Sequence, residues 1–217
     1  MRQLVLLVTL LTLLSANDMK IKKEHFTALE SVIPSATFDI RYFTHNNFLG
    51  HSVQGYREPI CYLSNEAASA LKAVEASLKK EHLQLLIFDC YRPQRAVDDF
   101  VLWAKDLDDT KMKSIYYPNV QKKDLFKEGY IAARSGHSRG STVDLSIKNL
   151  DMGTPFDFFD PSSHTLSPTI TTQQQKNRLH LKKVMEESGF KNYAAEWWHY
   201  TLKDEPFKKH YFDFEIK

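Results

Sequence analysis

Two stretches of this 217-residue chain carry side chains that can do chemistry together. In Ser135-Gly136-His137-Ser138-Arg139-Gly140-Ser141-Thr142-Val143-Asp144 an imidazole and a carboxylate stand seven residues apart, with Gly140 between them. On a straight strand such positions face opposite ways, and Gly140 can supply the turn that returns Asp144 to the side of His137. A third ligand and a base are offered by Glu196-Trp197-Trp198-His199. A three-ligand N/N/O set leaves one position for water, which is the pattern of catalytic zinc, whereas closed four-ligand sites are structural. The arrangement carries a commitment: Glu196 and His199 lie three apart and would face opposite ways on a regular strand, so a bulge or helical turn must fall at the Trp pair. The competing readings are an aromatic core strand that Glu196 and His199 merely flank, and a chance His–Asp pair in a chain with nine histidines.

Other residues extend the list. Arg92 follows an apolar run and is fixed by Pro93, at a strand end where binding loops gather. Its guanidinium can meet a substrate carboxylate or a developing oxyanion, or else form a surface ion pair with Asp89 or Asp98. Asp157 and Asp160, within Phe156-Asp157-Phe158-Phe159-Asp160, can meet a substrate ammonium group or cap turns. Cys61 and Cys90 are an even pair, which export allows to be read as one disulfide, with two buried free thiols as the alternative.

The scaffold that must position these groups is mixed. Residues 1–16 combine Arg2, an apolar run from Leu4 to Leu14 and the small pair Ser15-Ala16, the pattern of a secretory signal peptide; an uncleaved anchor is the alternative. The run is short for a membrane span, which needs about 20 apolar residues. We therefore expect an exported protein, periplasmic or secreted, with its working domain at 17–217. The charge is balanced, 29 basic against 27 acidic residues, so nothing suggests nucleic acid as a partner.

Alternation predicts a strand over 36–43 and an apolar run of strand length predicts one over 83–88; a further strand is read over 142–147, and β propensity is high over 197–202 and 211–216. Residues 25–33 read as a short helix or turn. Helices are expected over 67–80 behind an N-cap at Ser64, over 94–105, and over 173–188 with Gly189 as its stop. The polar segment 107–130, with a short helix, reads as a cover over a cleft, and 150–168 as irregular. Strands and helices mix without a β-α repeat, which favours one α+β domain with a central, mostly antiparallel sheet flanked by helices.

In this setting the chain resembles the D-alanyl-D-alanine dipeptidases, zinc enzymes of peptidase family M15 found in vancomycin-resistance operons and periplasmic dipeptide recycling. The resemblance rests on Asp89-Cys90-Tyr91-Arg92-Pro93-Gln94-Arg95-Ala96-Val97, Tyr116-Tyr117-Pro118-Asn119, the His137–Asp144 stretch, Asp151-Met152-Gly153 with Phe156-Asp157-Phe158, Ser188-Gly189-Phe190, Glu196-Trp197-Trp198-His199-Tyr200 and Tyr211-Phe212-Asp213-Phe214. These motifs run in family order from about residue 37 to the C-terminus. The resemblance implies that His137, Asp144 and His199 ligate one zinc ion, that Glu196 is the general acid/base, and that Arg92 stabilises the transition state. It also implies that Ser135 contacts substrate and that Asp157 holds the substrate ammonium. The partner is then a small D,D-dipeptide derived from peptidoglycan. Three features depart from the pattern: Cys90 stands where some members have glycine, the segment between Asp144 and Asp157 is shorter, and a leader precedes the domain. A zinc D,D-carboxypeptidase acting on cell-wall peptides shares the same ligands, and a non-catalytic zinc-stabilised binding module shares the same scaffold.

Overall fold

The structure, a computed structural model, describes residues 19–22 and 24–217; the leader read over residues 1–16 lies outside them. In chain order the elements are β1 (Phe26–Ala28), α1 (Leu29–Val32), β2 (Thr37–Phe38), β3 (Tyr62–Ser64), α2 (Asn65–Lys80), β4 (Leu85–Asp89), α3 (Gln94–Lys105), α4 (Lys113–Tyr116), β5 (Thr142–Ile147), α5 (Thr172–Glu187), β6 (Phe190–Asn192) and β7 (His199–Leu202). A five-stranded sheet runs β2-β4-β5-β7-β6, and β1 pairs with β3 in a separate two-stranded ribbon. Within the larger sheet only the β2–β4 pairing is parallel. The fold is therefore the mixed α+β architecture with a central, mostly antiparallel sheet that the pattern predicts.

β5 is the centre of that sheet, and every one of its residues is buried. This fits the run Thr-Val-Asp-Leu-Ser-Ile, whose β-branched members suit a strand covered on both faces. α2 presents Ala67, Leu71, Val74 and Leu78 as one buried stripe, and the Ser64 side chain accepts the Ala67 N–H at its start. α5 opens with a capping box between Thr171 and Gln174, and packs against α2 and β6. Gly189, just beyond it, holds φ +91°, a left-handed turn that glycine adopts without a steric penalty. α3 contributes Phe100 and Trp103 to an aromatic cluster with Tyr42, Phe48 and Phe159.

Four expectations are corrected. The strand over 36–43 stops at Phe38: after the Asp39 N–H bonds to the Ile87 carbonyl, Arg41 folds back on Asp39 at 2.6 Å and a 3-10 turn at Arg41–Phe43 carries Tyr42 into the aromatic cluster. Residues 211–216 form no ladder, because their backbone groups go to scattered partners: Phe212 to Ser138 and Gln94, Ile216 to Gly55. The helix or turn at 25–33 is a strand, β1, followed directly by the one-turn α1. The strand over 197–202 begins only at His199, since a turn occupies the Trp pair.

A buried side chain clamps the irregular stretch 150–168 at several points. Arg178, on α5, donates to the carbonyls of Met152 (2.6 Å), Ser162 (2.8 Å) and His164 (2.7 Å), and to Thr154 Oγ1 (3.2 Å). A loop with no ladder of its own must satisfy its buried carbonyls this way. Thr154 Oγ1 also accepts the indole N–H of Trp197 at 2.9 Å, so the clamp reaches the chain beside Glu196. Arg178→Met strands several acceptors at about 1–3 kcal/mol each, so we expect it to destabilise the fold by about 3 kcal/mol or more in urea unfolding. A loss below about 1 kcal/mol would show the loop is held by something else.

Candidate active site

Strand register assembles the site. Asp144 on β5 lies directly opposite His199 on β7, so their side chains share a face. On the other side, β4 and β5 pair Leu85 with Ile147 and Ile87 with Leu145, then slip, so that Asp89 faces Asp144. Without the slip Asp89 would stand opposite Val143 and point to the other face. The extra residue in β4 turns it inward beside Asp144.

His137 reaches the same place from a 3-10 turn, Gly136–Arg139. Ser135 caps that turn, its hydroxyl accepting the His137 N–H at 3.3 Å. Gly140 ends it at φ +81°, and a Cβ at Gly140 would run into the Phe26 ring, so both backbone and packing demand glycine. This is the turn that the seven-residue spacing required. The commitment at the Trp pair is also met: the His199 N–H bonds back to the Glu196 carbonyl at 3.3 Å, closing a tight turn that brings both side chains to one site.

The donor atoms converge. His137 Nε2 lies 3.2 Å from Asp144 Oδ2, His199 Nδ1 lies 2.9 Å from Asp144 Oδ1, and the two imidazole nitrogens are 3.3 Å apart. His137 Nδ1 lies 2.7 Å from the Cys90 carbonyl, which can only accept, so Nδ1 carries the proton and Nε2 turns a lone pair toward Asp144 and His199. Asp144 Oδ1 is buried and has no aligned hydrogen bond, despite its short approach to His199. An orphaned carboxylate oxygen among imidazole lone pairs is a cradle for a cation, and its donor set is that of catalytic zinc.

The surroundings set the electrostatics. Burial opposes charge on Asp144, but His137 and His199 beside it hold its carboxyl below the usual range. Glu196 Oε2 sits 3.5 Å from His199 Nδ1, and burial pushes its carboxyl up against the opposing pull of His199. Asp157, held at φ +60°, is buried and accepts the Tyr42 hydroxyl at 2.9 Å; burial and then the Asp144 charge push it well above the carboxylate range.

Arg92 is 9% exposed, and its ion pair with Asp89 is buried rather than on the surface. Its Nε and Nη2 converge on Asp89 Oδ2 at 2.9 and 2.8 Å, and its guanidinium carbon lies 4.9 Å from the ring centres of both Tyr42 and Phe100. Tyr56 completes the clamp, its hydroxyl donating to Asp89 Oδ1 at 2.6 Å. Cys61 and Cys90 are joined by a disulfide with Cα atoms 5.3 Å apart, directly behind the carbonyl that orients His137.

All of these functional side chains except Asp89, Tyr56 and the cysteines line one cavity of about 270 Å³, with Ser135, Arg134 and the run Gly129–Ala132 forming further wall. Gly129 and Tyr130 end the polar segment 107–130 read as a cover, and Ile131 and Ala132 follow it directly. Asp160 stays apart from this cavity, capping a 3-10 turn and bonding Asn119. Sequence reading gave Asp89 only a surface role and did not single out Tyr42 or Tyr56. The spacing Asp89–Arg92 was the available signal, but not its burial.

A profile of the family described as D-ala-D-ala dipeptidase (Peptidase_M15) matches residues 22–217. The chain is 39% identical over 198 residues to a D-alanyl-D-alanine dipeptidase of Enterococcus faecium, covering 88% of this chain and 98% of that one. It is 40% identical over 197 residues to one from Streptomyces coelicolor, with the same coverage, and 30% identical over 179 residues to one from Escherichia coli, covering 80% and 82%. A solved structure of a vancomycin-resistance D,D-pentapeptidase VanY mutant in complex with Zn(II) overlaps at 12% identity and TM-score 0.42, over 69% of this chain and 77% of that one, too loosely to add to the reading.

The donor set predicts that His199→Ala abolishes stoichiometric divalent metal binding, measured by metal analysis after dialysis. Full metal occupancy in that variant would remove His199 from the ligand set.

Proposed function

Because this chain belongs to the D-Ala-D-Ala dipeptidase family of M15 peptidases, we propose that it hydrolyses free D-Ala-D-Ala to two D-alanines, with one zinc ion held by His137, Asp144 and His199. The observation that carries the proposal is the convergence of those three donors with Glu196 poised 3.5 Å from His199 at the same cavity. A zinc ion there would polarise the scissile carbonyl and lower the pKa of the attacking water.

The protein's own groups do the rest. Glu196 takes the proton from the attacking water and returns it to the leaving amine; a carboxyl raised by burial suits both halves of that exchange. Arg92 faces the carbonyl oxygen as negative charge develops there. The hydrogen bond and ion pair from Arg92 to Asp89 and its two flanking rings hold it rigid, so little reorganisation is needed at the transition state. Asp157 receives the substrate ammonium, whose arrival favours the ionised carboxylate that burial otherwise disfavours. Ser135 contributes to the wall on which the substrate rests while its hydroxyl caps the turn bearing His137.

The cavity, about 270 Å³ and walled by Gly129–Ala132, supports a small enclosed substrate over the long peptide that a D,D-carboxypeptidase must admit. The joint presence of Glu196 and Arg92 at the donor cluster favours catalysis over a zinc-stabilised binding module. The Cys61–Cys90 disulfide supports an oxidising compartment, and hence export to a periplasm or the outside. Among the described residues no helix is long and apolar enough to cross a membrane.

Glu196→Ala is expected to keep its metal and lose about 10²–10⁴ in kcat, the usual worth of a general base. Near-native turnover in that variant would end the assignment. In parallel, the protein is offered D-Ala-D-Ala, L-Ala-L-Ala and an N-acylated D-Ala-D-Ala peptide, with and without chelator. Chelator-sensitive cleavage confined to the free D,D-dipeptide is expected. Preference for the acylated peptide would move the protein to the carboxypeptidase class.

A further inference from the structure

The proposed substrate is a zwitterion, and the reading above accounts for only one of its charges. Of the cations lining the cavity, Arg92 is engaged by Asp89, and His137 and His199 belong to the donor cluster. The acids there, Asp144, Asp157 and Glu196, repel a carboxylate. That leaves Arg134. It is exposed, it lines the cavity beside Ser135 and Gly136, and among the described residues no ion pair engages it. Its guanidinium rests on the Tyr211 ring, 4.8 Å from the ring centre, so a cation is held at the wall instead of trailing into solvent. Tyr211 is itself close to Arg139, which is fastened to Glu205 by two hydrogen bonds at 2.8 and 2.9 Å. The shelf under Arg134 is therefore built into the end of the chain.

Resting on the dipeptidase reading, we infer that Arg134 binds the C-terminal carboxylate of the substrate and makes this enzyme select for a free carboxyl end. Asp157, seated on the Tyr42 hydroxyl, takes the ammonium end, and Arg134, seated on Tyr211, takes the other. A planar guanidinium suits a carboxylate, and stacking leaves its N–H edge available for paired hydrogen bonds. Arg134 is a binding residue in this scheme and takes no part in proton transfer.

The test compares D-Ala-D-Ala with its C-terminal carboxamide on the native enzyme and on Arg134→Gln. The native enzyme is expected to show a KM about tenfold higher for the amide, the cost of one lost charge-assisted contact at an exposed rim. Arg134→Gln is expected to raise KM for the free acid by a similar factor with kcat little changed, so the amide-to-acid KM ratio falls to near one. Arg134→Lys, which keeps the charge without the fork, should restore part of the ratio. An unchanged ratio in Arg134→Gln, or an equal loss on both substrates, overturns the inference while leaving the dipeptidase reading intact. Failure of the native enzyme to cleave D-Ala-D-Ala overturns both.

Discussion

A single extra residue in β4, between Ile87 and Asp89, governs the layout of this site. The slip turns Asp89 to the face of the sheet that carries Asp144 and His199, so three adjacent strands deliver polar groups to one point. Two buried carboxylates in neighbouring positions repel each other, and burial penalises both. The structure compensates with Arg92, which bonds Asp89 and lies 3.5 Å from Asp144, with His137, which lies near both carboxylates, and with His199 beside Asp144. Tyrosine hydroxyls take up the remaining lone pairs, Tyr56 at Asp89 and Tyr42 at Asp157. In the proposed reaction the same charges that would destabilise a core would supply a preorganised field at the scissile bond.

Rigidity comes from outside the sheet. The Asp157 loop and the turn at Glu196 have no ladder of their own, and both are tied through Thr154, which links the Arg178 clamp to the Trp197 indole. Asn192 adds a second tie, its amide donating to the carbonyls of Glu196 and His199 at 3.1 Å each. The residues proposed as general base and metal ligands therefore sit on elements whose positions are fixed by buried hydrogen bonds, each costly to leave unmade. The disulfide plays the corresponding part for His137, since it anchors the chain at the carbonyl that sets the imidazole tautomer.

The cavity is small and carries an acid and a cation on separately supported residues, Asp157 on a tyrosine hydroxyl and Arg134 on a tyrosine face. That arrangement fits a short zwitterion better than a long chain passing through. It also separates binding from chemistry: the groups proposed to hold the substrate's ends are distinct from those proposed to polarise the bond between them.

Much of this was legible in the chain. The helices over 67–80, 94–105 and 173–188 and the strand over 142–147 follow from periodicity and caps, because those signals are local. The glycine turn between His137 and Asp144, and the turn demanded between Glu196 and His199, were required by side-chain direction alone. What the tertiary structure decided was anything depending on partners remote in sequence. The strand expected at 36–43 gave way to a turn because Tyr42 is drawn to Phe100 and Asp157, and 211–216 lost its ladder to scattered backbone partners. The burial of Asp89, and with it the role of Arg92, hangs on a one-residue slip in register. Register is set by the pairing of whole strands, and no local pattern in β4 records it.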